Sequence, residues 1–331
     1  MDDAVAELGG RHPGDPARRD RIVIGGSAGS LDTLRAIARD FPSEFTGSIF
    51  IVAHIGQSRS ILPDLLRKAG NLSASHPQEE EPIRKGHIYV APPDRHLLIE
   101  DGKVCLSRGP REHFTRPAID PLFRSAAASG PRTIGVVLSG GGSDGAAGLD
   151  TIRRSGGLTI VEDPSVAAFP DMPLSAASIC KPDFLVRATE IPTLLVRLSE
   201  EIAEGTSARK EAPIEMDMEK LDRPITFSCP ECGGALRPGP HNPLKQYSCH
   251  IGHRFGTMEL LEAQSDGVEK GVNVAVRMLN EQAEFARQMI EGARDSPLDN
   301  GLVYWQRLQT QAEEQIEALR HFLDQRPVIR A

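Results

Sequence analysis

Between residues 21 and 203 the chain alternates short apolar runs with stretches whose apolar residues recur every three or four positions. Arg21-Ile22-Val23-Ile24-Gly25 reads as a buried strand. Ser30 to Arg39 then places apolar residues at 31, 34, 37 and 38, the spacing of a helix. Ser48 to Ile55 is the next strand and 61–69 the next helix. Ile88 to Ala91 is a short strand, and 97–106 holds two apolar runs about an Asp101-Gly102 turn, the pattern of a β-hairpin. Residues 119–128 have helical spacing. Ile134 to Leu138 is a strand, followed by a glycine-rich loop and a helix near 146–154. Strands at 158–161 and 184–186 and a helix at 191–203 complete the series. Continuous apolar strands alternating with helices predict an α/β fold, a doubly wound, mostly parallel sheet covered on both faces.

The pattern changes at 204. Residues 204–224 are polar and aperiodic, which predicts a linker; 225–255 hold a cysteine cluster, and 256–331 read as a helical tail. In the tail, Trp305, Leu308, Ala312, Ile316, Leu319 and Leu323 form one apolar stripe that must be buried against something. Residues 1–20 are polar with Gly and Pro, which predicts a disordered arm. The expected division is therefore 1–20, 21–203, 204–224, 225–255 and 256–331.

Composition narrows the function classes. The 331 residues carry a formal net charge of -8, from 38 Lys and Arg against 46 Asp and Glu. That balance argues against nucleic acid or an anionic membrane as the main partner. Aromatic content of 5% leaves few stacking platforms for single strands. No apolar run of about 20 residues is present for a membrane span, and residues 1–20 lack the apolar core of a signal peptide. A cytoplasmic protein is expected. An odd number of cysteines, five, argues against a disulfide framework.

Gly25-Gly26-Ser27-Ala28-Gly29 fits G-x-S-x-G between a strand and a helix, the context in which that motif exposes a nucleophilic serine. The following helix N-terminus offers N–H groups to a developing oxyanion. The plain alternative is a glycine-rich turn without chemistry. His54 ends the strand SIFIVAH, where a core histidine is the common case, and Asp144 in SGGGSDG could simply cap a helix. Together, however, the three fall at the carboxyl ends of parallel strands, where ligand sites of doubly wound sheets form. They supply a nucleophile, its base and the group that orients the base. The chain order Ser, His, Asp differs from that of α/β-hydrolases.

Cys229-Pro-Glu-Cys232 is followed by Cys249-His250-Ile251-Gly252-His253, a C-x2-C-x16-C-x3-H spacing. Two close pairs let four ligands meet at one tetrahedral zinc. The ligands expected are Cys229, Cys232, Cys249 and His253, with His250 the alternative fourth. Four protein ligands imply a structural metal; catalysis needs none. The competing reading is three reduced cysteines without metal.

The stretches IVIGGSAGS (22–30), IFIVAHI (49–55), HIYVAPPDRHLLI (87–99), RPAIDPLFRSAA (116–127), GVVLSGGGSDGAAGL (135–149) and VEDPSVAAFPDMPLSA (161–176) together resemble the catalytic domain of the chemotaxis protein-glutamate methylesterase family, CheB. The resemblance implies that family's Rossmann-like fold and hydrolysis of glutamyl methyl esters on helical, methyl-accepting chemotaxis receptors, often with deamidation of receptor glutamines. It places the catalytic serine, histidine and aspartate on Ser27, His54 and Asp144, and the oxyanion-binding amides on Ala28 and Gly141. Three departures stand out. The family's methionine in the loop before the aspartate falls on Gly141, a common threonine falls on Ala28, and about twenty residues precede the first strand where regulated members carry a phospho-receiver domain. Cysteine-rich tails like this one follow stand-alone relatives. The resemblance thus predicts a signal-transduction enzyme, and the apolar stripe of the tail adds the expectation that it docks, helix on helix, to the partner. The rival expectation is a non-catalytic interaction scaffold built on the same fold.

Overall fold

A computed structural model describes residues 18–54, 60–203, 227–238, 246–293 and 302–326. The expected arm up to residue 17 and the 204–224 linker lie outside the described residues. Residues 18–20 are held to the domain: Arg18 bridges Ile202, Arg19 pairs with Glu201, and Asp20 with Arg132.

In chain order the elements are β1 (Arg21–Gly26), α1 (Leu31–Asp40), β2 (Ser48–Ala53), α2 (Leu62–Ala69), β3 (Ser73–Ser75), β4 (Glu81–Pro82), β5 (His87–Val90), β6 (His96–Glu100) and β7 (Lys103–Ser107). Then come α3 (Ile119–Ala126), β8 (Thr133–Val137), α4 (Ala146–Arg154), β9 (Leu158–Glu162), α5 (Asp171–Cys180), β10 (Phe184–Val186) and α6 (Ile191–Glu200). Seven strands form one sheet in the order β10-β9-β8-β1-β2-β5-β3, all pairs parallel. The doubly wound fold expected from the apolar runs is the one observed.

Strand alternation explains the layering. Ile22, Ile24, Ile49, Ile51, Ile134 and Val136 face a layer containing Leu34, Ile37, Leu66 and Leu195 from α1, α2 and α6. Val23, Phe50, Val52, Tyr89 and Val137 face the opposite layer, with Leu122, Phe123, Leu149 and Met172 from α3, α4 and α5. Each such side chain contributes roughly 1.5–3 kcal/mol by leaving water, so both faces of β1 lock it centrally. The β6–β7 hairpin turns at Asp101 and Gly102, both at positive φ, as its sequence implied.

Three elements have no counterpart in the periodicity. α5 buries Met172, Ala176 and Cys180 on a narrow stripe of mostly small residues and carries Pro173 in its first turn. β3 and β4 are only three and two residues long. The helix expected over 119–128 ends at Ala126 and continues as a 3₁₀ turn to Arg132, where Gly130 at φ 57° and Pro131 stop it.

The cysteine segment forms an antiparallel sheet of β11 (Leu236–Pro238), β12 (Tyr247–Cys249) and β13 (Arg254–Phe255). Residues 257–331 make a second compact unit, in which α7 (Thr257–Ala293) and α8 (Leu302–Asp324) pack as a hairpin. Phe285 meets Trp305 at one end, and Arg326 donates to the Ser265 carbonyl at the other (2.6 Å). Within the apolar stripe Ala312 and Ile316 are buried, and the other four positions are half-buried. Much of that face is therefore consumed inside the hairpin.

Candidate active site

The strand order reverses between β1 and β8, because β2 lies on one side of β1 and β8 on the other. Ser27 follows β1, His54 follows β2, and Asp144 lies in the loop after β8. Their shared edge is the crevice that the topology opens.

The Ser27 turn is fastened from two sides. Its N–H donates to the Ser139 carbonyl (2.9 Å), and the Ser30 hydroxyl donates to the Ser27 carbonyl (2.7 Å). Ser139, fully buried, is the hub: its N–H donates to Glu162 Oε2 (2.8 Å) and its hydroxyl to the Ala28 carbonyl (2.8 Å). Burial pushes the Glu162 carboxyl up. Gly140 presses against this turn so closely that a Cβ there would lie 2.7 Å from Ser27 Cβ and 2.2 Å from the Met172 sulfur. Ser27 is half-buried, while Ala28 and Gly141 are exposed beside it.

His54 is fixed through backbone and ring. Its N–H donates to the Gly26 carbonyl (3.2 Å), and its Nε2 meets Asp144 Oδ2 at 2.9 Å. The bond to Asp144 uses Nε2–H, which leaves Nδ1 as the lone-pair nitrogen. Asp144 is buried at 2% exposure, and its charge is compensated by the first turn of α3: the Ile119 N–H donates to Oδ2 (2.7 Å) and the Asp120 N–H to Oδ1 (3.0 Å). A helix N-terminus suits an anion there. Burial works to raise the Asp144 pKa, but the charge of His113, the His54 hydrogen bond and the Ile119 amide outweigh it and hold the carboxyl well below the usual carboxylate range. Thr115 Oγ1 lies 3.5 Å from His54 Nε2.

Sequence reasoning missed the residues behind Asp144. His113 Nε2 sits 3.1 Å from Asp120 Oδ2 and 3.9 Å from Asp144 Oδ1, between two buried carboxylates. The Gly148 N–H donates to Asp120 Oδ1 (2.7 Å), and the Gln246 side chain donates to Asp120 Oδ2 (2.9 Å). His96 pins the same loop: its Nε2 bonds the Pro110 carbonyl (2.9 Å) and its Nδ1 accepts from the Ala118 N–H (3.2 Å), while burial lowers its pKa and favours the neutral ring. The stretch 112–120 holds one His and one Asp and shows no periodicity before Ile119, so the sequence carried little signal for them.

Cys229, Cys232, Cys249 and His253 converge, their ligand atoms all within 4.8 Å of one another, and could hold a metal ion. Cys232 Sγ to Cys249 Sγ is 3.7 Å, Cys229 Sγ to His253 Nδ1 3.7 Å, and Cys249 Sγ to His253 Nδ1 3.4 Å. Bonds of ~2.3 Å to sulfur and ~2.0 Å to nitrogen about one tetrahedral ion give edges of about 3.8 and about 3.6 Å, so the donor set fits. Gly233 and Gly252, at φ 71° and 106°, close the two turns that carry the cysteines. Burial would raise the Cys249 thiol, but the amides of Ile251, His253 and Gly252 outweigh it and bring it down to about 6, toward the ligating thiolate. His250 is exposed and its ring covers Gly234.

The parallel-sheet domain that carries this edge is similar to known proteins. The CheB methylesterase family model matches residues 22–195. A Leptospira interrogans protein is 40% identical over 184 residues, which are 55% of this chain and 95% of that protein. The protein-glutamate methylesterase/protein-glutamine glutaminase 2 of Anaeromyxobacter dehalogenans is 35% identical over 189 residues, 56% of this chain and 55% of its own length. The crystal structure of the Thermotoga maritima CheB methylesterase catalytic domain superposes with a TM-score of 0.52 at 30% identity, covering 54% of this chain and 98% of that domain.

Proposed function

This chain belongs to the CheB methylesterase family, and on that footing we propose that it hydrolyses glutamyl methyl esters on helical chemoreceptor-type proteins in signal-transduction adaptation, and deamidates glutamines at the same positions. The observation that carries the reading is the 2.9 Å bond between His54 Nε2 and buried Asp144, on the sheet edge that also bears Ser27.

Ser27 Oγ attacks the ester carbonyl while His54 Nδ1 takes its proton. The tetrahedral oxyanion is met by the N–H groups of Ala28 and Gly141. Asp144 steadies the resulting imidazolium. The C–O bond to methanol breaks as His54 returns the proton to the leaving oxygen. Water, deprotonated by His54, then opens the acyl-enzyme and releases a glutamate side chain; for glutamine the first leaving group is ammonia. The intact His54–Asp144 pair supports an enzyme over a non-catalytic scaffold.

The cysteine module holds one structural zinc in this proposal, because three thiolates and an imidazole at these separations match its preferences. The α7–α8 hairpin serves as a docking element for receptor helices: beyond its internal stripe it leaves Met278, Phe285, Val303 and Tyr304 exposed. Among the described residues no helix is long and apolar enough to cross a membrane, in keeping with a cytoplasmic enzyme. The test is labelling of the full chain by a serine-directed fluorophosphonate, followed by release of methanol from methylated receptor preparations. Failure of both in folded, metal-loaded protein would overturn the esterase reading.

A further inference from the structure

The cysteine module touches the catalytic domain at the loop that backs Asp144. The His113 N–H donates to the Arg254 carbonyl (2.9 Å), and Glu112 forms a parallel bridge with Arg254. Arg254 also lies 3.8 Å from Glu112 Oε1, which Arg124 of α3 grips at 2.5 Å. Phe255, fully buried, meets the Phe114 ring at 4.9 Å. Gln246 completes the contact by donating to Asp120 Oδ2.

The loop requires such a clamp. His113 and Phe114 adopt φ of 50° and 60°, two successive non-glycine residues in the left-handed region, a backbone that histidine visits more readily than most but that is an outlier for a bulky phenylalanine. Both are the residues that β13 holds, His113 through its amide and Phe114 through its ring. Side-chain placement matters equally. Asp120 and Asp144 are buried at 0% and 2% exposure, and His113 stands between them. Two neighbouring carboxylates in a dry interior need their donors in place. Gln246 supplies one of them, and it lies three residues before Cys249, immediately ahead of β12, the strand that carries that ligand.

We propose that the metal module is a positioning element of the active site: by holding the cysteine ligands together, the ion sets Gln246, Arg254 and Phe255, which fix His113 and Asp120 behind Asp144. Esterase output then depends on metal occupancy through a contact that touches neither substrate nor reacting atoms. The proposal rests on the methylesterase reading for its activity arm and stands independently for its structural arm. Gln246 and His113 are positioning residues.

The test uses the full chain in zinc-loaded and chelator-stripped forms, with Gln246→Ala as a zinc-retaining variant. Three quantities are measured: kcat and KM on a small activated ester, metal content, and amide exchange of 112–120 against β1 and β2. Stripping should lower kcat on the order of 10- to 100-fold with KM little changed. Exchange at 112–120, the His113 amide above all, should accelerate while the central strands stay protected, and added zinc should restore both. Gln246→Ala should keep its zinc, lose about 10-fold in kcat and weaken the downfield proton signal of the His54–Asp144 hydrogen bond. Wild-type kcat and unchanged exchange at 112–120 in stripped protein would overturn the proposal, as would a Gln246→Ala variant identical to wild type in kcat and proton signal. Zinc-loaded wild type inert toward every ester would instead count against the methylesterase reading, leaving the exchange comparison to decide the clamp.

Discussion

The sheet edge and the cysteine module each bring polar side chains from distant parts of the chain to one point, by opposite means. At the sheet edge, apolar burial does the placing: β1, β2 and β8 are buried on both faces, so Ser27, His54 and Asp144 inherit their positions from core strands. The module's described residues contribute few buried apolar side chains, chiefly Leu236 and Phe255, and four side chains able to hold a metal ion converge within it. A site placed by a core tolerates the loss of one polar group without losing its geometry. A site placed by ligands does not.

That contrast can be tested in steps of decreasing effect. Ser27→Ala should reduce ester turnover by roughly 10⁶-fold with an unchanged circular dichroism spectrum, because the strands and not the hydroxyl hold the turn. Near-wild-type turnover would remove Ser27 from the mechanism. Asp144→Asn should cost about 10⁴-fold in kcat, since an amide can present its N–H to His54 Nε2 and stabilise the wrong tautomer.

Cys229→Ser should act in the other region. Elemental analysis should fall from about one zinc per chain to a small fraction, with the far-ultraviolet spectrum of the parallel sheet retained. A folded variant still holding a full equivalent would show that the ligands are not those named. Gly140→Ala should destabilise by about 1–3 kcal/mol in urea unfolding, because its Cβ would meet Ser27 and the fully buried Met172. No loss would mean the turn is looser than its contacts imply.

The smallest effect concerns pH. The Asp144 carboxyl is held below its ordinary range in the folded state, so its contribution to stability is complete above the unfolded value of about 3.9 and is lost as pH falls toward the folded value. The stability gap between wild type and Asp144→Asn should be flat above about pH 5 and narrow below about pH 4. A gap that widens on acidification would contradict the arrangement of donors around Asp144.

The sequence was most readable where burial is continuous. Ile22 to Ile24, Ile49 to Val52 and Ile134 to Leu138 are uninterrupted apolar runs, and from them the parallel sheet and the placement of Ser27, His54 and Asp144 on one edge follow. The Cys and His spacing was equally plain, and the four side chains it singled out do converge. What escaped was tertiary and polar. His113 and Asp120 are buried by the loop and helix around them, not by any repeat, and Gln246 reaches Asp120 across 126 positions of sequence. α5 escaped because small buried residues and a proline leave almost no amphipathic contrast.

The bridge between Arg18 and Ile202, with Arg19 on Glu201, has a consequence for how this domain travels between proteins. It brings the entrance and exit of the catalytic fold side by side, near the amino end of β1 and so away from the carboxyl edge that bears Ser27. A permuted chain, joined from 203 to 18 by a short connector and opened at the Asp101-Gly102 hairpin tip, should fold and keep its catalytic edge. The same proximity lets a foreign polypeptide host the whole domain as an insert, its interruption spanning only the width of two neighbouring strands, about 5 Å.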